Sequence, residues 1–435
     1  MTIRLRQLST VALFGALYGV IFWICYRDLD PDFGWALEAG RYISAHGVPA
    51  HDVFTYTARN FPWIDHEWLS DVLIAALYRL GGMAMVAAVF AGVWLAALLV
   101  AARKHWPVAA LAGIGLIDFF TIRPLAFTGL LLALMVVIWQ RPQWRWLLIP
   151  LFGLWANLHG GFALGLAILG FLIVWERQWR WWWLLAAAVI ATFINPYGPR
   201  LYVEVWRTLS DHNLMYQVEE WEPLQLTIWI GLYAVGVLGA LVALGGWRRS
   251  VGILTGGLTV AAAASARFFM PFVIMSLPLV AHGYTELMHL VGKRRWVVPA
   301  FTLGALLLLS IAFVRQLPIT NAYPVAAVAS LRAHPCQGNI FNEYDFGGYL
   351  IWQLPGVPVY IDGRMPSWKG PQGYYINQYF QVKNGGSVVN KVFAHYDITC
   401  AILYNGDRPL PQQLAHEGWK ASAKDSTATL WRKRA

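Results

Sequence analysis

Charge is what this sequence is shortest of. Only 13% of its 435 residues are Asp, Glu, Lys or Arg, whereas 58% are hydrophobic and mean hydropathy is +0.49. A soluble chain of this length cannot hide so much apolar surface, so the composition excludes a soluble protein and indicates a polytopic membrane protein. Cysteine is scarce too. Three cysteines exclude a disulfide scaffold and a zinc cluster, and no HxxxH or CxxC spacing is available for a transition metal. Internal repeats and low-complexity tracts are missing as well. The first apolar run, 8–26, ends ICYRDLDP with no small-residue cleavage site. It reads as a membrane helix rather than a signal peptide.

What is there fits a membrane. The formal net charge of +10 comes from Lys and Arg in short loops between apolar segments, where they set topology and meet anionic headgroups. Nucleic acid is therefore not the expected partner; membrane lipids are. The 24 Trp, with clusters at Trp144, Trp146 and Trp179 to Trp183, suit interfacial belts. Apolar segments near 8–26, 83–102, 106–122, 125–140, 145–158, 161–175, 181–194, 224–244, 250–265, 268–288 and 296–314 predict about eleven transmembrane helices. With the N-terminus in the cytoplasm, the inner turns carry Arg4/Arg6, Arg103/Lys104, Arg141/Arg145, Arg177/Arg180, Arg248/Arg249 and Lys293/Arg294/Arg295. Each of these turns is basic, as the positive-inside rule requires.

The same alternation sends a set of costly polar residues to the outer face. Asp30 and Asp32 follow the first span, and His66 and Glu67 open the amphipathic helix EWLSDVLIAALYRL. Asp118 and Arg123 stand in DFFTIRP, Asn157 and His159 in NLHGG, Arg267 in SARFF, and Glu219, Glu220 and Glu222 near the end of an outer loop. Ionisable groups at membrane depth are usually kept for a site. A carboxylate at Asp30 or Asp32 suits a general base or a ligand for a divalent cation beside a phosphate. The plainer reading makes Asp32 the N-cap of FGWALEAG. His66 and Glu67 suit a second acid/base or metal-binding pair facing Asp30, or simply a charged helix start favoured by the dipole. Arg123, His159 and Arg267 suit phosphate binding, against headgroup snorkelling for the arginines and a tight turn for His159.

From about Leu317 the membrane pattern stops. The stretch 317–435 alternates helix PVAAVASLRAH, strand GNIF, helix GGYLIWQL, strand PVYID, strand ITCAILY, helix LPQQLAHEG and a closing ATLWRK. That order predicts a small external α/β domain. Gly347 and Gly348 suit a close backbone approach or an anion at a helix start, against ordinary turn chemistry. Asp362 and Arg364 are expected to line a ligand-facing edge. Cys336 and Cys400 share this domain, and a bridge between them is open if it lies in an oxidising compartment.

The stretch DPDFGWALEAGRYISAHGVPAHDVFTYT…HEWL, together with GGYLIW…PVYIDGR, resembles the GT-C superfamily of integral-membrane glycosyltransferases, in particular bacterial glycosyltransferase-like members. The resemblance implies a GT-C-like transmembrane domain over 1–316, with a first periplasmic loop at 27–82, and a periplasmic α/β domain over 317–435. It implies residence in the bacterial inner membrane and transfer of a sugar or oligosaccharide from a polyprenyl phosphate or pyrophosphate donor. The acceptor would be a protein (pilin-like, as for an oligosaccharyltransferase), a lipid or a surface glycan. Asp30 would be the base and Asp32 its partner, while Arg123, His159 and Arg267 would bind the donor phosphate. Asp118 and Asn157 would line substrate. No cofactor is certain; some members use a divalent cation, Mg or Mn, and others none. The rival readings are an O-antigen ligase or polymerase type of enzyme, a transporter or flippase of lipid-linked glycan, and a non-catalytic assembly protein.

Overall fold

A computed structural model describes residues 2–103, 105–211, 218–227, 230–231, 233–234, 237, 250–291 and 323–434. The chain divides into two compact units. The first comprises Met1–Leu29, Leu77–Val205 and Met215–Leu317; the second comprises Asp30–Ala76, Trp206–Leu214 and Pro318–Ala435.

The first unit is helical. Its elements include α1 (Thr2–Arg27), most of α3 (Trp68–Ala101), α4 (Trp106–Gly115), α5 (Leu125–Trp139), α6 (Leu148–Leu158), α7 (Phe162–Trp175) and α8 (Trp182–Thr192). Nearly unbroken Leu, Ala, Val and Phe make these helices apolar all round, as buried or lipid-facing helices are. Arginine follows the C-terminal ends of α3, α5 and α7. Arg103 and Arg177 take left-handed φ values of 53° and 52° just past α3 and α7. Arg145 is buried, donates to the Trp139 carbonyl at 2.7 Å and lies 3.8 Å from the centre of the Trp139 ring. The Trp-rich turns thus cover arginine as well as marking an interface.

Two helices among the described residues, Trp68–Ala101 and Ala266–Glu286, are long and apolar enough to cross a bilayer. Several expected spans are shorter. The segment 106–122 divides into α4 and a 3-10 turn at Ile117–Phe119, and 145–158 begins within the 3-10 turn Pro142–Leu147. Proline favours both starts: Pro107 and Pro142 each stand in a first turn, where no backbone N–H is needed, and Arg141 before Pro142 is extended. The expected segment 296–314 lies outside the described residues, as does most of 224–244.

The second unit joins the first loop to the C-terminal segment, rather than leaving 317–435 as a separate domain. A four-stranded sheet has the order β1 (Asn339–Asn342), β2 (Ile398–Tyr404), β4 (Ala428–Arg432), β3 (Lys420–Lys424), with β1–β2 parallel and the other pairs antiparallel. Strands and helices fall where GNIF, GGYLIWQL, ITCAILY, LPQQLAHEG and ATLWRK predict them. PVYID is the exception. Its Val359 forms only an isolated parallel bridge, to Thr55 of the first loop. The bridge is built from Tyr56 N–H to the Val359 carbonyl at 3.2 Å and Val359 N–H to the Phe54 carbonyl at 3.0 Å. This apolar run extends no sheet because it is buried beneath the loop that pairs with it.

The two motifs that carry the family resemblance meet here. Helix α2 (Phe33–His46) packs on the helix Gly347–Gln353. A Cβ on Gly34 would overlap the Gly348 carbonyl, and a Cβ on Gly348 would overlap the Pro31 carbonyl. Gly348 therefore serves the close-approach reading.

Cys336 and Cys400 form a disulfide with their Cα atoms 6.2 Å apart, closing a loop of 64 residues. Replacing both with serine should cost the second unit about 2–5 kcal/mol. Thiol alkylation without reductant should label Cys25 alone, once the chain is unfolded. Labelling of all three cysteines would show that the bridge does not form.

Candidate active site

Where α1 gives way to α2, Asp30 and Asp32 are fixed by different means. Asp30 is buried, at 6% exposure, and its Oδ1 accepts the Asp32 backbone N–H at 2.9 Å. Asp32 is more accessible and occupies the N-cap position of α2, yet its side chain makes no capping bond. Instead Oδ1 accepts the Trp35 indole N–H at 2.8 Å. The simple N-cap reading therefore fails for its side chain. A Cβ on Gly363 would run into Asp32 Oδ1, so the DGR turn of the C-terminal segment approaches this carboxylate by backbone alone.

Three groups that sequence reasoning missed surround it: Tyr323, Asp345 and Tyr404. The Tyr404 hydroxyl donates to Asp345 Oδ2 at 3.2 Å. Burial raises the Asp345 carboxyl above the usual range, and the negative charge of Asp32 adds to this against the Tyr404 hydrogen bond. Burial also raises Tyr323, followed by the charges of Asp30 and Asp32. Asp345 lies in NEYDFGGY, beside the Gly347 and Gly348 that the sequence does single out. Only the α2 crossing brings it near Asp32. The site is thus acidic and aromatic.

His66 and Glu67 pair with each other at 3.5 Å at the start of α3. Beside them the structure holds a second unexpected feature. Asp65 and Asp71 carboxyls approach one another in the interior, and neither Asp71 oxygen meets an N–H or O–H donor among the described residues. One shared proton satisfies both, because two adjacent buried carboxylates cannot easily ionise together. Burial pushes Asp65 up to about 6, against the Glu67 N–H, the Asp71 carboxyl and the charge of Arg364.

Glu343 is likewise pushed up to about 7 by burial, against Lys383 and Tyr379. Lys383 bridges Glu343 at 2.7 Å and Asp407 at 2.8 Å. Folded Asp65 and Glu343 thus hold protons that the unfolded chain releases near pH 4. Their contribution is fully present below that range and is lost as pH rises through about 6 and 7. Melting temperature should accordingly rise as pH is lowered from 8 to 5, and Asp65→Asn should flatten that slope. A melting temperature that falls toward pH 5 would contradict the buried-proton account.

Asp362 and Arg364 do not line a ligand edge. Arg364 is enclosed, with a bidentate pair to Asp362 (Nε to Oδ1 at 2.8 Å, a terminal nitrogen to Oδ2 at 2.6 Å) and a second ion pair to Asp52 at 2.8 Å. Trp63, Phe54 and Trp368 ring it at 4.5, 5.0 and 5.3 Å from their centroids. Burial alone would lower its pKa; the Asp362 and Asp52 charges outweigh burial and raise it. The pattern DGR predicts a turn, but the partner Asp52 is some 310 residues away and carries no local signal.

In the first unit, Arg123 and Arg267 converge on Glu220. Arg123 forms an ion pair with it, and Arg267 lies 3.9 Å from its other oxygen and 4.9 Å from the Trp221 ring. Ser265 and Ala266 tie the same segment down by hydrogen bonds to the Glu220 and Glu222 carbonyls, at 3.1 and 2.9 Å. The two arginines singled out for phosphate binding are thus brought together. His159 is not presented in the same way. It is buried, and its Nδ1 accepts the Gly161 N–H at 2.9 Å and meets the Thr128 hydroxyl at 2.8 Å, which is turn chemistry. Asn157 clamps α6 to the end of α8 through the Gly153 and Ile194 carbonyls, at 2.7 and 2.8 Å. Asp118 is exposed on its 3-10 turn. Among the described residues no three or more His, Cys, Asp or Glu are grouped to hold a metal ion.

No family model matches the chain, and no match to a curated protein was found by sequence. Solved structures do match. ArnT from Cupriavidus metallidurans, bound to undecaprenyl phosphate, aligns over 98% of both chains with a TM-score of 0.54 at 15% identity. The archaeal oligosaccharyltransferase AglB from Archaeoglobus fulgidus, in complex with an inhibitory peptide and a dolichol-phosphate, aligns over 92% of this chain and 70% of its own, with a TM-score of 0.59 at 12% identity. The chain shares its fold with ArnT and AglB.

Proposed function

We propose that this protein is a multi-pass membrane glycosyltransferase of the GT-C type. It moves a sugar or oligosaccharide from a polyprenyl phosphate or pyrophosphate carrier to a hydroxyl of a protein or surface glycan. The observation that carries this reading is the Asp30–Asp32 loop, in a chain that shares the fold of ArnT and AglB almost end to end.

The difference in burial supports a division of roles within the pair. Asp32, the more accessible carboxylate with its orientation set by Trp35, is the base, and Asp30 is the positioning residue that holds the Asp32 backbone. This reverses the order that the family resemblance suggests. As the acceptor oxygen bonds the anomeric carbon, its proton passes to Asp32. The bond from that carbon to the carrier oxygen breaks, and the carrier phosphate leaves with the electron pair. Binding of the donor phosphate is assigned to Arg123 and Arg267, whose forked guanidinium groups match its oxygens; Glu220 occupies them in this structure. In this reading the chain crosses the bacterial inner membrane about eleven times, with its N-terminus cytoplasmic and its second unit periplasmic.

Intact-mass comparison of surface glycans and glycoproteins, from cells with and without the protein, tests the proposal. A hexose- or oligosaccharide-sized mass should vanish on deletion and return with the wild-type chain. Identical profiles in the two cell types would rule it out.

A further inference from the structure

The second unit carries a cleft away from the acidic loop. Phe61, Arg207, Asp211, Ser367, Lys369 and Tyr374 line a volume of about 280 Å³. That is near the lower end of the ~300–1,000 Å³ typical of small-molecule sites, a size suited to one sugar-like group. Its cations are held by rings. The Arg207 guanidinium lies 5.3 Å from the centre of the Phe61 ring, and Phe61 stacks on buried Trp368 at 4.4 Å with planes 13° apart. The Lys369 ammonium lies 5.8 Å from the Tyr374 ring, across the short hairpin of Lys369–Gly370 and Gly373–Tyr374. A cation over a ring face is attracted by the ring quadrupole and so held in orientation. Two cations against the single carboxylate of Asp211 make the lining net positive, and Ser367 adds a hydroxyl.

The helix that supplies Arg207 shows where a ligand would come from. Along Arg200–Ser210, Val203, Trp206 and Leu209 are exposed, while Leu201 and Glu204 are buried. An outward apolar face with a Trp is the pattern of a helix lying in the headgroup layer. The cleft also shares a packed framework with Asp32. Trp35, whose indole holds Asp32, lies 6.0 Å from Arg364; Arg364 lies 5.3 Å from Trp368; and Trp368 stacks on Phe61.

We propose that this cleft binds an anionic polyol, a sugar or headgroup bearing a phosphate or carboxylate, presented at the membrane surface. Its role as the holder of the charged part of the acceptor rests on the transferase reading; the binding itself does not.

The full chain in phosphatidylcholine nanodiscs is titrated with glucuronate, glucose 6-phosphate and glucose, and the titration is repeated in phosphatidylglycerol nanodiscs. Both anionic sugars should bind, more weakly as salt rises, and glucose should bind far less. Arg207→Gln and Lys369→Gln should each weaken the anions by about tenfold or more, as expected for loss of a charge-assisted hydrogen bond. Lys369 is exposed on its hairpin, so its variant tests the site even if Arg207→Gln disturbs the Phe61 stack. Anion binding that persists in phosphatidylglycerol identifies a sugar ligand. Binding that survives only in phosphatidylcholine identifies the lipid headgroup as the competing occupant, with the same chemistry. Glucose binding equal to that of the anions, anion binding unchanged in both variants, or no anion binding in phosphatidylcholine overturns the proposal. Asp32→Asn separates the two readings, since it should slow transfer by roughly two to four orders of magnitude and leave anion binding intact.

Discussion

Asp32→Asn should lower the rate of transfer by roughly two to four orders of magnitude, the usual loss on removing a general base. Asparagine keeps the size of the side chain and an oxygen that can still accept the Trp35 indole, so the turn into α2 should survive. What it loses is the ability to take a proton from the acceptor hydroxyl. Asp30→Asn should behave differently. The same side chain can still accept the Asp32 backbone N–H through its oxygen, so a positioning role predicts a smaller loss of turnover. The check is the glycan profile and turnover of each variant at equal protein level and unchanged melting temperature. Full activity in Asp32→Asn would remove the first loop from the chemistry. A larger loss in Asp30→Asn than in Asp32→Asn would restore Asp30 as the base.

The largest effect on stability should come from Arg364→Ala. The guanidinium is the shared partner of Asp52 and Asp362, and its positive charge also reaches Asp65. Removing it leaves carboxylates in the interior without their counter-ion. Breaking a buried pair from one side costs about 3–5 kcal/mol. For a unit of this size that lowers the melting temperature by on the order of 10 °C. Arg364→Lys should recover only part of the loss, because one ammonium cannot reproduce the bidentate contact with Asp362 while also meeting Asp52. Thermal unfolding of the full chain, with limited proteolysis to follow the second unit, measures this. A change in melting temperature no greater than that of a surface substitution would mean that the cage contributes nothing. Replacing Arg364, Asp52 and Asp362 together with apolar residues should do less harm than Arg364→Ala, since no charge is then stranded.

The sequence by itself determined what depends on composition and short-range pattern. Low charge and long apolar runs specify apolar helices, because burial of apolar surface is a summed property that does not depend on which segments touch. Period-two strands and short helices in 339–432 specify the α/β part, with strand and helix positions close to those observed. The DPD motif marked the loop that carries the candidate base, since acidic residues directly after an apolar helix stand out locally.

Only the tertiary structure decided what depends on pairs far apart in the chain. Nothing local in GVPAHDVF reveals that Asp52 meets Arg364, and nothing in the helix EWLSDVL reveals that Asp71 faces Asp65. The same holds for Asp345, Tyr323 and Tyr404 gathering about Asp32. Nor could the sequence show that PVYID pairs with the first loop, so that two segments some 300 residues apart form one unit. The physical reason is common to all of these. A buried charge is tolerated only where its partner happens to be, and chain crossings fix that place. The glycines Gly34, Gly348 and Gly363 allow those crossings to be close enough to build the site.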